Sequence, residues 1–185
     1  MAHRVCPWWL GYWLISPLRK YGQNPHDILA PYVREGMRVL EPGPGMGFFT
    51  LELARFVGPS GRVIAVDVQS KMIDRLKRRA AKAGLLERVD TRVAPADSMG
   101  IADLHSSADF TLAFAVVHEF PDAGRFFAEV AAACKPGATV LLAEPSGHVR
   151  AAAFDSELQA AAAAGLSLVD RPSIRRSHAA LLRKS

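Results

Sequence analysis

Val39-Leu40-Glu41-Pro42-Gly43-Pro44-Gly45-Met46-Gly47-Phe48-Phe49-Thr50 carries a short apolar run into an acid, then three glycines at alternate positions, then a helical pattern expected from Gly47. A strand that turns at once into a helix needs glycines where the backbone takes unusual φ/ψ values or lets a ligand come close. The amides opening such a helix face whatever occupies the crevice beyond the strand ends. The stretch reads as a nucleotide-type cofactor site. Its spacing is G-x-G-x-G, and Phe48 stands where a G-x-G-x-x-G dinucleotide fingerprint has its third glycine.

Working outward, the same alternation of apolar run and amphipathic stretch recurs on both sides. Asn24-Pro25 predicts an N-cap with proline at the first helical position, opening a helix over 24–33. Gly36 ends it, and 37–41 is the first strand, followed by a crossover helix over 47–57 that Gly58-Pro59 stops. RVIAVD, 62–67, is a buried-type strand ending in an acid. Ser70 is expected to cap the next helix, whose Met72, Ile73, Leu76, Ala80 and Ala83 share one face, with Gly84 closing it. Further strands are expected at 88–94, 109–117 and 139–144, with a helix capped by Asp122 reaching Cys134. Strand and helix thus alternate five times, which argues a parallel sheet covered by helices on both faces. An alanine-rich helix over 151–164 precedes two strand-like runs, GLSLVDRPSI and SHAALLRK, which predict a hairpin. The division expected is an aromatic-rich segment, 1–23, before one core domain, 24–185.

The chain of 185 residues carries a net charge of +5 and is half hydrophobic, as one globular domain would be. Its two cysteines, Cys6 and Cys134, are too few for a disulfide framework and match no zinc spacing; no metal site is expected, and a reducing cytoplasm is the expected compartment. Residues 5–15, VCPWWLGYWLI, hold all three tryptophans. The run is too short to span a bilayer and lacks a small-residue cleavage site. Three roles fit it: packing on the domain, a lid on a substrate pocket through Trp8, Trp9, Tyr12, Trp13 and Tyr21, or interfacial membrane contact. Basic residues crowd the helix after Asp67 and the final hairpin, without the interleaved aromatics of a nucleic-acid surface. A nucleic-acid partner is therefore not expected.

Glu41-x-Gly43-x-Gly45-x-Gly47, Asp67 at the end of the second strand, Asp97 after the third and VVHEFPD after the fourth together resemble the class I S-adenosylmethionine-dependent methyltransferases over residues 24–184. The resemblance implies a Rossmann-like, doubly wound α/β fold. Its sheet has seven strands, mostly parallel with the last antiparallel, which the tail hairpin would complete. It also implies a cofactor, S-adenosyl-L-methionine. Gly43, Gly45 and Gly47 would let the backbone approach its methionine part, and Glu41 would anchor that loop and the amino group. Asp67 would accept hydrogen bonds from the ribose hydroxyls, a task suited to an acceptor-only carboxylate. Val68 and Met72 would flank it. Asp97, with Ala96 beside the ring, would take the adenine, while Phe114 and Ala115 would line the methyl region.

Methyl transfer from a sulfonium is an in-line displacement, so the protein must mainly align the partners and exclude water. His118 and Glu119 stand beyond the fourth strand, where a general base for a protonated nucleophile would sit. His118 fits a packing and orienting role equally well. The chain has no N-P-P-Y-type run after that strand and no Pro-Cys nucleophile. The expected function is methyl transfer to a small, apolar or aromatic acceptor. A cofactor-binding protein without turnover and an RNA methyltransferase are the alternatives. An NAD domain is opposed by Phe48, by Glu41 before the glycines and by the lack of a second domain for a hydride acceptor.

Overall fold

In the computed structural model, which describes residues 23–95 and 98–185, a seven-stranded sheet runs in the order β3-β2-β1-β4-β5-β7-β6. The elements are α1 (Pro25–Leu29), β1 (Arg38–Pro42), α2 (Thr50–Phe56), β2 (Arg62–Asp67), α3 (Ser70–Lys82), β3 (Val89–Val93), β4 (Ala108–Phe114), α4 (Ala123–Ala133), β5 (Cys134–Pro145), α5 (Ala151–Ala163), β6 (Leu166–Asp170) and β7 (Ser177–Lys184). Strands β1 to β5 are parallel, and β7 lies antiparallel between β5 and β6. The Rossmann-like α/β fold expected from the sequence is the fold found. Residues 1–22, and with them the aromatic segment and Cys6, lie outside the described residues.

Two apolar layers cover the sheet. Val39, Val63, Phe110 and Leu141 face one layer with Leu53, Ile73 and Leu76 of α2 and α3. Their strand neighbours Leu40, Ile64 and Leu142 face the other, with Phe126, Phe127 and Val130 of α4 and Phe154 of α5. Strands buried on both faces explain the nearly continuous apolar runs, since alternate side chains enter different layers.

Several boundaries depart from the sequence reading, each for a local reason. Helix α1 stops at Leu29, not residue 33, because Pro31 has no amide to continue the ladder. Helix α2 begins at Thr50: Gly47 has φ +83°, outside the helical region, so residues 43–49 form turns. Ser70 is the first residue of α3 and makes no side-chain cap; Asp67 instead accepts the Gln69 amide at 2.8 Å. Between β3 and β4 the described residues of the crossover form a 3-10 turn at Ala102–Leu104 and no α-helix, in a stretch punctuated by Pro95 and Gly100. Strand β5 starts at Cys134 and runs through an irregularity opposite Ala108 and Phe110. Strand β4 ends at Phe114, three residues early, and that early ending shapes the site.

Candidate cofactor and acceptor site

Sheet order reverses at β1 and β4, the place where open α/β sheets leave a crevice beyond their carboxyl ends. A cavity of about 370 Å³ opens there, within the roughly 300–1,000 Å³ range of small-molecule sites. Its lining comes from the end of β1 (Glu41, Pro42), the glycine loop, the end of β2 (Val66, Asp67), the start of α3, and the segment from Leu112 to Pro121.

The glycine loop is folded by its own glycines. Gly43 has φ +65°, and a Cβ there would fall 2.6 Å from Val116 Cγ2, so only glycine lets the loop lie on that side chain. Gly45 has φ +53°, and a Cβ there would meet nothing within 4 Å. The Gly43 amide donates to Val66 O at 2.8 Å, tying the loop to β2. Arg79 of α3 donates to Met46 O and clasps the loop from outside.

Two carboxylates meet at this end. Asp67 is 9% exposed; its Oδ1 accepts the Gln69 amide and its Oδ2 accepts the Gly45 amide at 3.3 Å. Burial raises its pKa, and those two amides pull it back. Asp67 therefore both braces the turn into α3 and lines the cavity. Glu41 is 3% exposed, and its Oε2 makes no hydrogen bond among the described residues. Burial pushes its carboxyl up to about 8; the nearby Thr50 hydroxyl opposes this without reaching hydrogen-bond geometry, and the Asp67 charge adds to the rise.

These features fit the expected cofactor. A buried acid oxygen without a partner suits a cationic amino group, and the open face of Gly45 admits backbone approach. Asp67 keeps a loosely held oxygen toward the cavity, and Val68, Met72, Ala94 and Met99 offer an apolar surface for a flat ring. Met72 is buried while Val68 is 37% exposed. Asp97 and Ala96, assigned to the adenine, lie outside the described residues, as do Trp8, Trp9, Tyr12, Trp13 and Tyr21.

Much of the remaining lining is apolar, with Phe48, Phe49, Phe114, Val116, Phe120 and Pro121. Phe49 and Phe114 pack with ring centroids 4.4 Å apart. Ala115 sits at φ +56°, a strained conformation for a residue with a Cβ, and turns the chain out of β4 into a 3-10 turn at Val117–Glu119.

That turn separates the two residues assigned to catalysis. Glu119 lines the cavity, whereas His118 does not. The His118 Nδ1 pairs with Oε2 of Glu144, a β5 residue with no exposed surface, whose Oε1 accepts the amides of Val116 at 3.1 Å and Val117 at 2.8 Å. The Glu144 hydrogen bond raises the His118 pKa against its burial, helped by the charges of Glu144, Glu119 and Glu157. Glu144 and Glu157 escaped the sequence reading. An acid ending the strand LLAE was the available signal for the first; an acid within an alanine-rich helix was the only one for the second.

Comparison with known proteins follows the same lines. Residues 40–142 match the family model described as a methyltransferase domain. The arsenite methyltransferase of Halobacterium salinarum is 31% identical over 136 residues, which is 74% of this chain and 33% of that protein. The ubiquinone/menaquinone biosynthesis C-methyltransferase UbiE of Pseudomonas paraeruginosa is 32% identical over 130 residues, covering 67% of this chain and 49% of that protein. The chain thus spans between a third and a half of the length of these two relatives. The crystal structure of a SAM-dependent methyltransferase from Aquifex aeolicus superposes with a TM-score of 0.87 at 21% identity, covering 98% of this chain and all of that one, a likeness of fold.

Proposed function

The chain belongs to the methyltransferase-domain family, the class I S-adenosylmethionine-dependent methyltransferases, and from that premise we propose that it transfers a methyl group to a small apolar or aromatic acceptor. The observation that carries this reading is one cavity lined both by two buried acids with a glycine loop and by a largely aromatic apolar wall. S-adenosylmethionine, when bound, supplies a methyl group on a sulfonium that is already a good leaving group. Glu41 would hold the amino group, Asp67 the ribose hydroxyls, and Asp97 and Ala96 the adenine. Phe114 and Ala115 would flank the methyl region. The aromatic wall would exclude water and align the acceptor, which is most of what in-line displacement requires.

Glu119 is the residue we assign to the acceptor side, where it would orient a polar atom or take its proton. His118 contributes from behind, through Glu144. Trp8, Trp9, Tyr12, Trp13 and Tyr21 are assigned to covering the acceptor. Between the acceptors named for the two relatives, a quinone-like ring suits the apolar wall. A soft metalloid would favour protein thiolates, and the described thiol, Cys134, is buried, raised in pKa by burial, and outside the cavity lining.

The test has two stages. Calorimetric titration should detect S-adenosylmethionine and S-adenosylhomocysteine; binding of NAD in their place would sink the reading. A screen of phenols, quinones, small thiols, amines and metalloid anions should then find turnover on a ring acceptor. Glu119→Ala should lower that turnover with cofactor affinity unchanged, and deletion of residues 1–20 should do the same. Cofactor binding with no turnover across the screen would favour a binding protein, a reading to which the withdrawal of His118 from the cavity lends support.

A further inference from the structure

Ala115, Val116, Glu119, Phe120 and Pro121 line the cavity, and their own segment supplies the turn bonds from the Glu119 amide to Val116 O and from the Phe120 amide to Val117 O. The segment starts from a left-handed alanine and continues as a 3-10 turn of three residues, neither of which is self-supporting. The β4 ladder ends where the Ala115 amide donates to Ala143 O at 2.7 Å. The next two amides, of Val116 and Val117, find no strand carbonyl and converge on one oxygen of Glu144. The second Glu144 oxygen takes the His118 Nδ1. One fully buried carboxylate therefore grips three successive residues of the segment, of which Val116 lines the cavity. The grip also reaches the glycine loop, because Val116 is the side chain on which Gly43 rests.

We propose that Glu144 is a positioning residue for the acceptor wall, holding the turn from Val116 to Glu119 through two backbone amides and the His118 imidazole. This rests on the reading above only in that the wall is taken to face the acceptor. The arrangement makes His118 the counter-charge of Glu144, with Nδ1 as donor. Facing the imidazole are Glu119 from its own turn, Glu144 from β5, Glu157 from α5, and the His148 ring at 6.2 Å.

The decisive variant is Glu144→Gln, which keeps the size and one acceptor oxygen but removes the charge. By NMR, the imidazole of His118 should titrate about one pH unit or more lower than in the wild type. Exchange of the Val117 amide should quicken by roughly tenfold, as expected when a charge-assisted hydrogen bond becomes a neutral one. Amide shifts of Glu119 and Phe120 should move. An unchanged His118 titration with unchanged Val117 exchange would overturn the proposal. Should Glu144→Gln fail to fold, the wild type suffices: the Val117 and Glu119 amide shifts should follow the His118 titration, and their constancy through it would overturn the proposal. Failure of the wild type to bind S-adenosylhomocysteine would instead count against the cofactor reading, leaving the NMR results to stand or fall separately.

Discussion

Glu41 and Glu144 lie near the carboxyl ends of two strands that flank β4, both almost completely buried, and their surroundings differ in one decisive respect. Glu41 has an oxygen without a hydrogen-bond partner among the described residues, and burial lifts its carboxyl to about 8. Glu144 has both oxygens engaged, by two backbone amides and an imidazole. A buried acid without partners is costly unless something else arrives to meet it, whereas a fully bonded one serves as an internal clamp. Glu41 thus suits the ligand-receiving role proposed for it, and Glu144 holds its own backbone. Asp67 lies between these cases, accepting the Gln69 amide with one oxygen and, at 3.3 Å, the Gly45 amide with the other.

The comparison breaks most sharply at Glu144. Glu144→Ala should leave two buried amides and a partly buried imidazole without their acceptor, lowering stability by about 3 kcal/mol, or Tm by on the order of 6–12 °C. A thermal unfolding curve matching the wild type would mean that the clamp holds nothing. At the ligand end, Asp67→Ala should cost roughly 1–3 kcal/mol of S-adenosylmethionine affinity by calorimetry, from hydroxyls left without acceptors. Equal affinities would move the ribose elsewhere.

Glu157 extends the contrast, because it is buried beside the clamp yet has an unbonded oxygen and is raised to about 8, first by burial and then by the Glu144 charge. In the folded protein it holds its proton up to about pH 8, while in the unfolded chain it loses it near 4.5. Its contribution to stability is therefore fully present below pH 4.5 and is lost as pH rises toward 8. Glu157→Gln should remove that loss and stabilise the protein by roughly 1–2 kcal/mol at pH 8, with little change at pH 4. Parallel stability–pH curves for the two proteins would contradict this.

Glu41 gives the smallest effect and the finest discrimination. An amino group arriving beside a carboxyl that is still protonated at pH 7 should displace its proton. Titrations in buffers of different ionisation heat should then report release of up to about one proton, with apparent affinity rising by less than tenfold per pH unit toward pH 8. Glu41→Gln should abolish the release. No release from the wild type would show that Glu41 stays neutral in the complex and anchors only the loop.

The fold was legible because its signals are local. Apolar strand runs, glycines at alternate positions and acids at strand ends follow from backbone geometry within a few residues, and they led to the sheet, the cavity and the Glu41 and Asp67 positions. Boundaries drifted where one residue overrode a periodic pattern, as Gly47 delays α2 and Pro31 shortens α1. The pattern FAVVHEF gave no sign of where β4 ends, since a buried strand and a buried turn are equally apolar. What the chain alone determined is therefore the strand–loop–helix grammar and the glycines and acids that line one side of a cavity from within one supersecondary unit. Only the tertiary structure decided that His118 turns away from the cavity and Glu119 toward it. The cause is Glu144, 26 residues from His118 in the chain and two strands from β1, and a contact between such distant residues leaves no period or spacing in the sequence to read.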